Sequence, residues 1–170
     1  MNSMMASSPS RFLRWVFIAA LILVLDLATK YWVVQSYRVG ESTVLTSFFN
    51  VVRAHNPGAA FSLFADQSGW QRWFLTVLAM VASAFLLWQI TIHSSKGLLS
   101  ISLASILGGA LGNAIDRMAR GHVIDFLSIH ASGYHFPTFN VADIAITTGV
   151  IGVVIHEVLS RRSREHTKTQ

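Results

Sequence analysis

Six ionisable residues stand inside or beside long apolar stretches of this 170-residue chain: Asp26, Lys30, Asp116, Arg117, Asp125 and Asp143. An ionisable group in or beside lipid costs about 2.5–3.5 kcal/mol on insertion scales, so each is a functional candidate by default. Three catalytic schemes can be set against them. A zinc protease needs His-Glu-x-x-His on a helix, and His156-Glu157-Val158-Leu159-Ser160 lacks the second His. A Ser/His dyad stays open, since serine is common and His122, His130 and His135 follow the third apolar run; no Gly-x-Ser-x-Gly elbow accompanies them. Paired carboxylates are the third scheme. Two Asp side chains in a low-dielectric site cannot both ionise, so the pair holds one proton. The ionised member can take a proton from water while the protonated member polarises a carbonyl. Asp125 and Asp143 can do this if the fold joins them.

The elements that must position these groups are membrane spans. The chain is 52% hydrophobic and only 12% charged, about half the charged share of an average soluble domain. That balance excludes a disordered chain. The apolar residues are pooled into four runs: Phe12–Val34, Trp73–Ile92, Leu98–Ile115 and Phe139–Val158. Trp73–Ile92 alone is twenty residues without a formal charge, long enough for a hydrocarbon core of roughly 30 Å. The first run is too long for a signal peptide core and passes Asp26 and Lys30 to reach the interfacial pair Tyr31-Trp32, so a retained helix is expected. The predicted fold class is therefore an all-α membrane protein: four transmembrane helices with a small extracytoplasmic β element, in a single domain over 1–170. The chain has no cysteine, which removes disulfides, thiolate chemistry and a lipidated cysteine anchor. The net charge of +5 comes from dispersed bases beside the spans, which fits a topogenic role and not nucleic-acid binding.

Four spans put both termini on one side. Segments 1–14, 93–97 and 159–170 hold Arg11, Arg14, Lys96, Arg161, Arg162, Arg164 and Lys168; the much longer segments 35–72 and 116–138 hold Arg38, Arg53, Arg72, Arg117 and Arg120. The denser side is cytoplasmic by the positive-inside rule. Both termini are then expected in the cytoplasm, with the acids collected toward the outer face.

The first outer segment is patterned. Ser42–His55 alternates loosely and is rich in Val, Thr and Phe, as a strand or hairpin would be. Asn56-Pro57-Gly58 reads as a turn, with Pro fixing φ and Gly free to take positive φ. Phe61, Leu63, Phe64 and Trp70 make the remainder apolar enough to rest on the bilayer surface. Segment 116–138 is expected as an outer loop, with Gly121–Phe126 able to dip back to the interface. Gly108, Gly109, Ala110 and Gly112 in the third run permit close helix packing. Plainer roles also exist for several candidates. Asp116-Arg117 can simply end a helix at the headgroups, and Lys30 can snorkel beside Asp26, its i,i+4 partner. Asn56 and Asn140 can be turn formers, and Asn140 is well placed to cap a helix that Asp143 opens. The histidines show no metal-ligand spacing, so no metal is expected.

Five blocks are more specific than any single acid: Asp26-x-x-x-Lys30, Asn56-Pro57-Gly58-Ala59-Ala60-Phe61-Ser62, Gly108–Arg117 (GGALGNAIDR), Gly121-His122-Val123-Ile124-Asp125-Phe126, and Phe139-Asn140-Val141-Ala142-Asp143. In this order, on a four-span chain, they closely resemble the bacterial lipoprotein signal peptidase (signal peptidase II) family. The resemblance implies an intramembrane aspartic endopeptidase of the bacterial inner membrane that removes signal peptides from diacylglyceryl-modified prolipoproteins, cleaving before the lipidated cysteine. It implies Asp125 and Asp143 as the catalytic pair, with Asn56, Gly58, Asn113, Arg117, Asn140, Ala142, Asp26 and Lys30 lining or bracing the site. His122 is not a catalytic position of the family. No cofactor is implied; the expected partners are the lipid-modified precursor and membrane lipids, and the expected state is a monomer. The rival reading is a small proton-coupled channel or transporter using Asp26, Lys30 and Asp143 as a relay. The absence of an internal repeat counts against an inverted-repeat transporter. A structural membrane subunit is a third possibility, and it would not need two outer acids near two asparagines.

Overall fold

The computed structural model describes residues 9–58 and 69–168, with side chains as far as Arg164. Four long helices follow the four apolar runs: α1 (Pro9–Ser36), α2 (Trp70–His93), α3 (Gly97–Arg120) and α4 (Val141–Lys168). Each contains a stretch long and apolar enough to cross a membrane. The helices outrun the apolar runs because their polar ends stay helical; α4, for example, continues through Arg161 and Arg162. The one late start also has a local cause. Phe139 and Asn140 fall outside α4, and Asn140 caps it.

The glycine-rich helix is the centre of the bundle. α3 packs against α1, α2 and α4, and 56% of its most apolar stretch is buried, against 17–28% in the other three. Small residues make this approach possible. A Cβ on Gly108 would lie 2.6 Å from the Ala19 carbonyl of α1, and one on Gly109 would press on the Ala142 carbonyl and Ile146 of α4. Trp15, Leu86, Ile90, Leu103 and Leu107 fill the apolar core at the other end. There the Trp15 indole donates to the Ser94 carbonyl at 2.9 Å, tying the start of α1 to the α2–α3 turn. Phe17, Leu21, Val81, Phe85, Ile151 and Val154 point outward and remain exposed, as lipid-facing residues would.

A four-stranded antiparallel sheet covers the opposite end, in the order β1 (Ser42–Thr46), β2 (Phe49–Asn56), β3 (Val123–Ala131), β4 (Tyr134–His135). The hairpin expected within Ser42–His55 is β1–β2. β3 and β4 were not expected: segment 116–138, read as a loop, contains both. Gly121 ends α3 with φ 82, its N–H donating to the Arg117 carbonyl, and the Gly121–Phe126 stretch enters β3 almost at once. β3 then pairs with β2, Asn56 opposite Val123 and Ala54 opposite Asp125. Ser132 (φ 50) and Gly133 (φ 85) form the two-residue turn into β4, positive φ at both positions being the type I′ requirement. Val33, Ile124 and Phe126 pack the sheet onto the end of α1.

The Asn56-Pro57-Gly58 turn is closed by a side chain: the Gly58 N–H donates to Asn56 Oδ1 at 3.0 Å. Phe61, Leu63 and Phe64, expected at the bilayer surface, lie outside the described residues, while Trp70 opens α2.

Candidate active site

Asp125 sits near the start of β3 and Asp143 in the first turn of α4. The sheet and the bundle bring them to one cavity of about 720 Å³, which Asn56, Asn113 and Arg117 also line. Asn140, fully buried, joins the two acids. Its Nδ2 donates to Asp125 Oδ1 at 2.7 Å, its backbone N–H donates to Asp143 Oδ2 at 3.2 Å, and its Oδ1 accepts the Asp143 N–H at 3.0 Å. The last two bonds form a reciprocal helix cap. The cap role expected of Asn140 is therefore present, and the same side chain also reaches the other acid.

Two more asparagines complete the ring. Asn56 Nδ2 donates to Asp125 Oδ2 at 3.0 Å, and Asn113 Nδ2 donates to Asp143 Oδ1 at 2.9 Å. Each of the four carboxylate oxygens thus accepts one N–H. Burial, followed by the proximity of Asp143, pushes the Asp125 carboxyl up to about 7. Asp143 is close enough to oppose ionisation of Asp125, as a proton-sharing pair requires.

Behind this ring lies a buried ionic layer. Lys30 Nζ lies 2.7 Å from Asp26 Oδ2, 2.8 Å from Asn113 Oδ1 and 3.3 Å from Asp116 Oδ2. Asp26 Oδ1 accepts the Ala142 N–H at 2.9 Å, which fixes the first turn of α4 against α1. Asp116 Oδ2 accepts the Ile124 N–H, and Arg120 pairs with its other oxygen. Arg117 Nη2 donates to the Gly58 carbonyl at 2.9 Å, holding the Asn56 turn over the cavity. The i,i+4 pairing of Asp26 with Lys30 is as the sequence indicates. Snorkelling is not: Lys30 is 0% exposed. Asp116 and Arg117 are buried as well.

Arg120 escaped the sequence reading, although its i,i+4 spacing from Asp116 was a usable signal. So did the Phe136-Pro137-Thr138-Phe139 wall of the cavity. The histidines lie elsewhere. His122 stacks on His55 with ring centroids 3.8 Å apart, and His130 faces His135 across β3–β4. Burial lowers the basicity of His55 and His122. Among the described residues no three His, Asp or Glu side chains form a group that could hold a metal ion.

Residues 18–159 match the model of a family described as signal peptidase (SPase) II. A lipoprotein signal peptidase of Cupriavidus pinatubonensis is 46% identical over 161 residues, 95% of this chain and 90% of the relative. One of Yersinia enterocolitica is 46% identical over 149 residues, 87% of this chain and 88% of the relative. A bacterial membrane enzyme solved by the in meso method at 2.3 Å resolution matches with a TM-score of 0.76 at 30% identity, covering 87% of this chain and 89% of that one. A second, at 1.9 Å, gives 0.74 at the same identity, over 84% and 91%. With four apolar helices framing one carboxylate cavity, and a family match over most of its length, the chain belongs to the signal peptidase (SPase) II family.

Proposed function

We propose that the protein is a lipoprotein signal peptidase in which Asp125 and Asp143 are the catalytic pair. The observation that carries the reading is the bridge through Asn140, which binds both acids at the wall of one cavity. The ionised member takes a proton from water, and the protonated member polarises the scissile carbonyl. Charge bookkeeping in the cluster agrees. Asp26, Asp116 and a singly protonated pair carry three negative charges, and Lys30, Arg117 and Arg120 carry three positive ones.

The substrate is a prolipoprotein whose cysteine bears a diacylglyceryl group, cut just before that cysteine. Both its acyl chains and its signal helix live in lipid, so an enzyme acting on it must offer its acids at the membrane surface. Binding energy from those remote parts can supply the orientation that the scissile bond needs. The site faces outward, with both termini in the cytoplasm, because Arg11, Arg14, Lys96, Arg161, Arg162 and Arg164 gather at the far ends of the helices. A monomer suffices, since α2, α3, α4, β2 and β3 of one chain wall the cavity.

The test uses one precursor in detergent, made with and without its diacylglyceryl group. Cleavage of the lipidated form alone is expected, since each buried methylene contributes roughly 0.8 kcal/mol to recognition. Equal cleavage of both forms would remove the lipoprotein-specific assignment.

A further inference from the structure

All three asparagines around the acids present their Nδ2 to a carboxylate, and in each the amide oxygen is held by another donor. For Asn56 the holder is the Gly58 backbone N–H, and for Asn140 it is the Asp143 backbone N–H. Both are short-range bonds within one turn. Asn113 lies inside α3, where its own backbone offers no such donor. Its Oδ1 takes the Lys30 ammonium at 2.8 Å and, more distantly, Asn140 Nδ2 at 3.2 Å.

We propose that Lys30 is a positioning residue that locks the Asn113 amide with its Nδ2 toward Asp143. The argument rests on donor counting. A lysine ammonium has three N–H and no lone pair, so only an oxygen can face it. Lys30 Nζ has three oxygens within 3.3 Å, from Asp26, Asp116 and Asn113, and is fully buried, so no water competes. The two acids, neither of which lines the cavity, hold the ammonium in place. With Asn113 Oδ1 committed to it, the other arm of the amide has to donate, and Asp143 Oδ1 lies 2.9 Å away. Without Lys30 the amide can turn over and set an oxygen against Asp143. That sets two acceptors face to face, so the pair takes its second proton at higher pH.

The inference rests on the Asp125/Asp143 reading, and its test separates the two. Lys30→Met keeps the length of the side chain and removes its donors, but it strands Asp26. The paired variant Asp26→Asn with Lys30→Met removes both charges together and leaves the Ala142 N–H with an acceptor. Activity on the lipidated precursor is measured across pH, normalised to folded protein from thermal melts, beside wild type and Asp143→Asn. In the paired variant kcat is expected to fall about ten- to a hundredfold, the range for a hydrogen bond to a charged group, with KM within about twofold. Its acidic limb is expected to move up by about one pH unit. A wild-type pH profile in the paired variant would overturn the role of Lys30, as would loss of folded protein in both Lys30 variants, which would make it purely structural. Retained activity in Asp143→Asn would instead overturn the catalytic pair.

Discussion

Asn140 and Asp143 cap each other: the Asn140 Oδ1 accepts the Asp143 N–H at 3.0 Å, and the Asp143 Oδ2 accepts the Asn140 N–H at 3.2 Å. The start of α4 and the aim of one carboxylate are therefore a single structural fact. Asn140 Nδ2 extends the same unit to Asp125, so helix, turn and strand are registered through one side chain.

The two duties of Asn140 can be separated by mutation. Serine caps a helix about as well as asparagine but cannot reach Asp125. Asn140→Ser is expected to leave stability within about 1 kcal/mol of wild type while lowering kcat about tenfold or more. Asn140→Ala is expected to lose both. Thermal unfolding and cleavage assays on the same preparations check this. Full activity in Asn140→Ser would mean that the bond to Asp125 is dispensable.

Packing of α3 gives a second expectation. A Cβ on Gly112 would collide with Asp26 Oδ2, the atom paired with Lys30, whereas one on Gly97 meets nothing within 4 Å. Gly112→Ala is expected to cost about 1–3 kcal/mol through overpacking. Gly97→Ala is expected to be neutral or slightly stabilising. Comparing the melting temperatures of the two variants distinguishes a close-packed ionic layer from one with slack.

Asp125 supplies the expected pH dependence. Burial and the neighbouring Asp143 raise its carboxyl to about 7. On the proposed mechanism the free enzyme loses its shared proton as pH climbs through that value, and with it the group that polarises the carbonyl. The alkaline limb of kcat/KM, which reports the free enzyme, is expected to begin near neutrality. A profile flat from pH 6 to 9 would contradict a proton-sharing pair.

Orientation is tested independently of chemistry. Reporter fusions after Ile92 and after Arg162 are expected to score cytoplasmic, and one after Ser132 outside, because the bases cluster at the ends away from the sheet. A cytoplasmic score at Ser132 would put β3 and Asp125 on the wrong face.

The four spans were legible because long uncharged runs have few other uses, and the close packing of α3, though not its central place, was legible in Gly108, Gly109 and Gly112. The β1–β2 hairpin showed in its alternation. β3 did not, since Val123–Ile129 is almost continuously apolar, carries Asp125 near its start and follows a helix with hardly a loop. The Ser132-Gly133 dipeptide was the signal that marked its turn. Within the site, the acids and asparagines were named by their blocks, but the direction of each amide was not. Lys30 could be paired with Asp26 from spacing alone; its bond to Asn113 spans 83 positions and depends on α1 crossing α3 at Gly112. Sequence therefore showed which groups are present, and tertiary contact decided which atom each one faces.

The most direct test of the catalytic pair is turnover of a lipidated precursor by Asp125→Asn, Asp143→Asn and the double variant, each verified as folded and inserted. Asn keeps the shape of Asp and removes its titration, so loss of activity reports chemistry. Residues that act as a unit are not additive. Each single variant is expected to abolish cleavage, with the double hardly worse than either; most of the wild-type rate surviving in either single variant would contradict the pair.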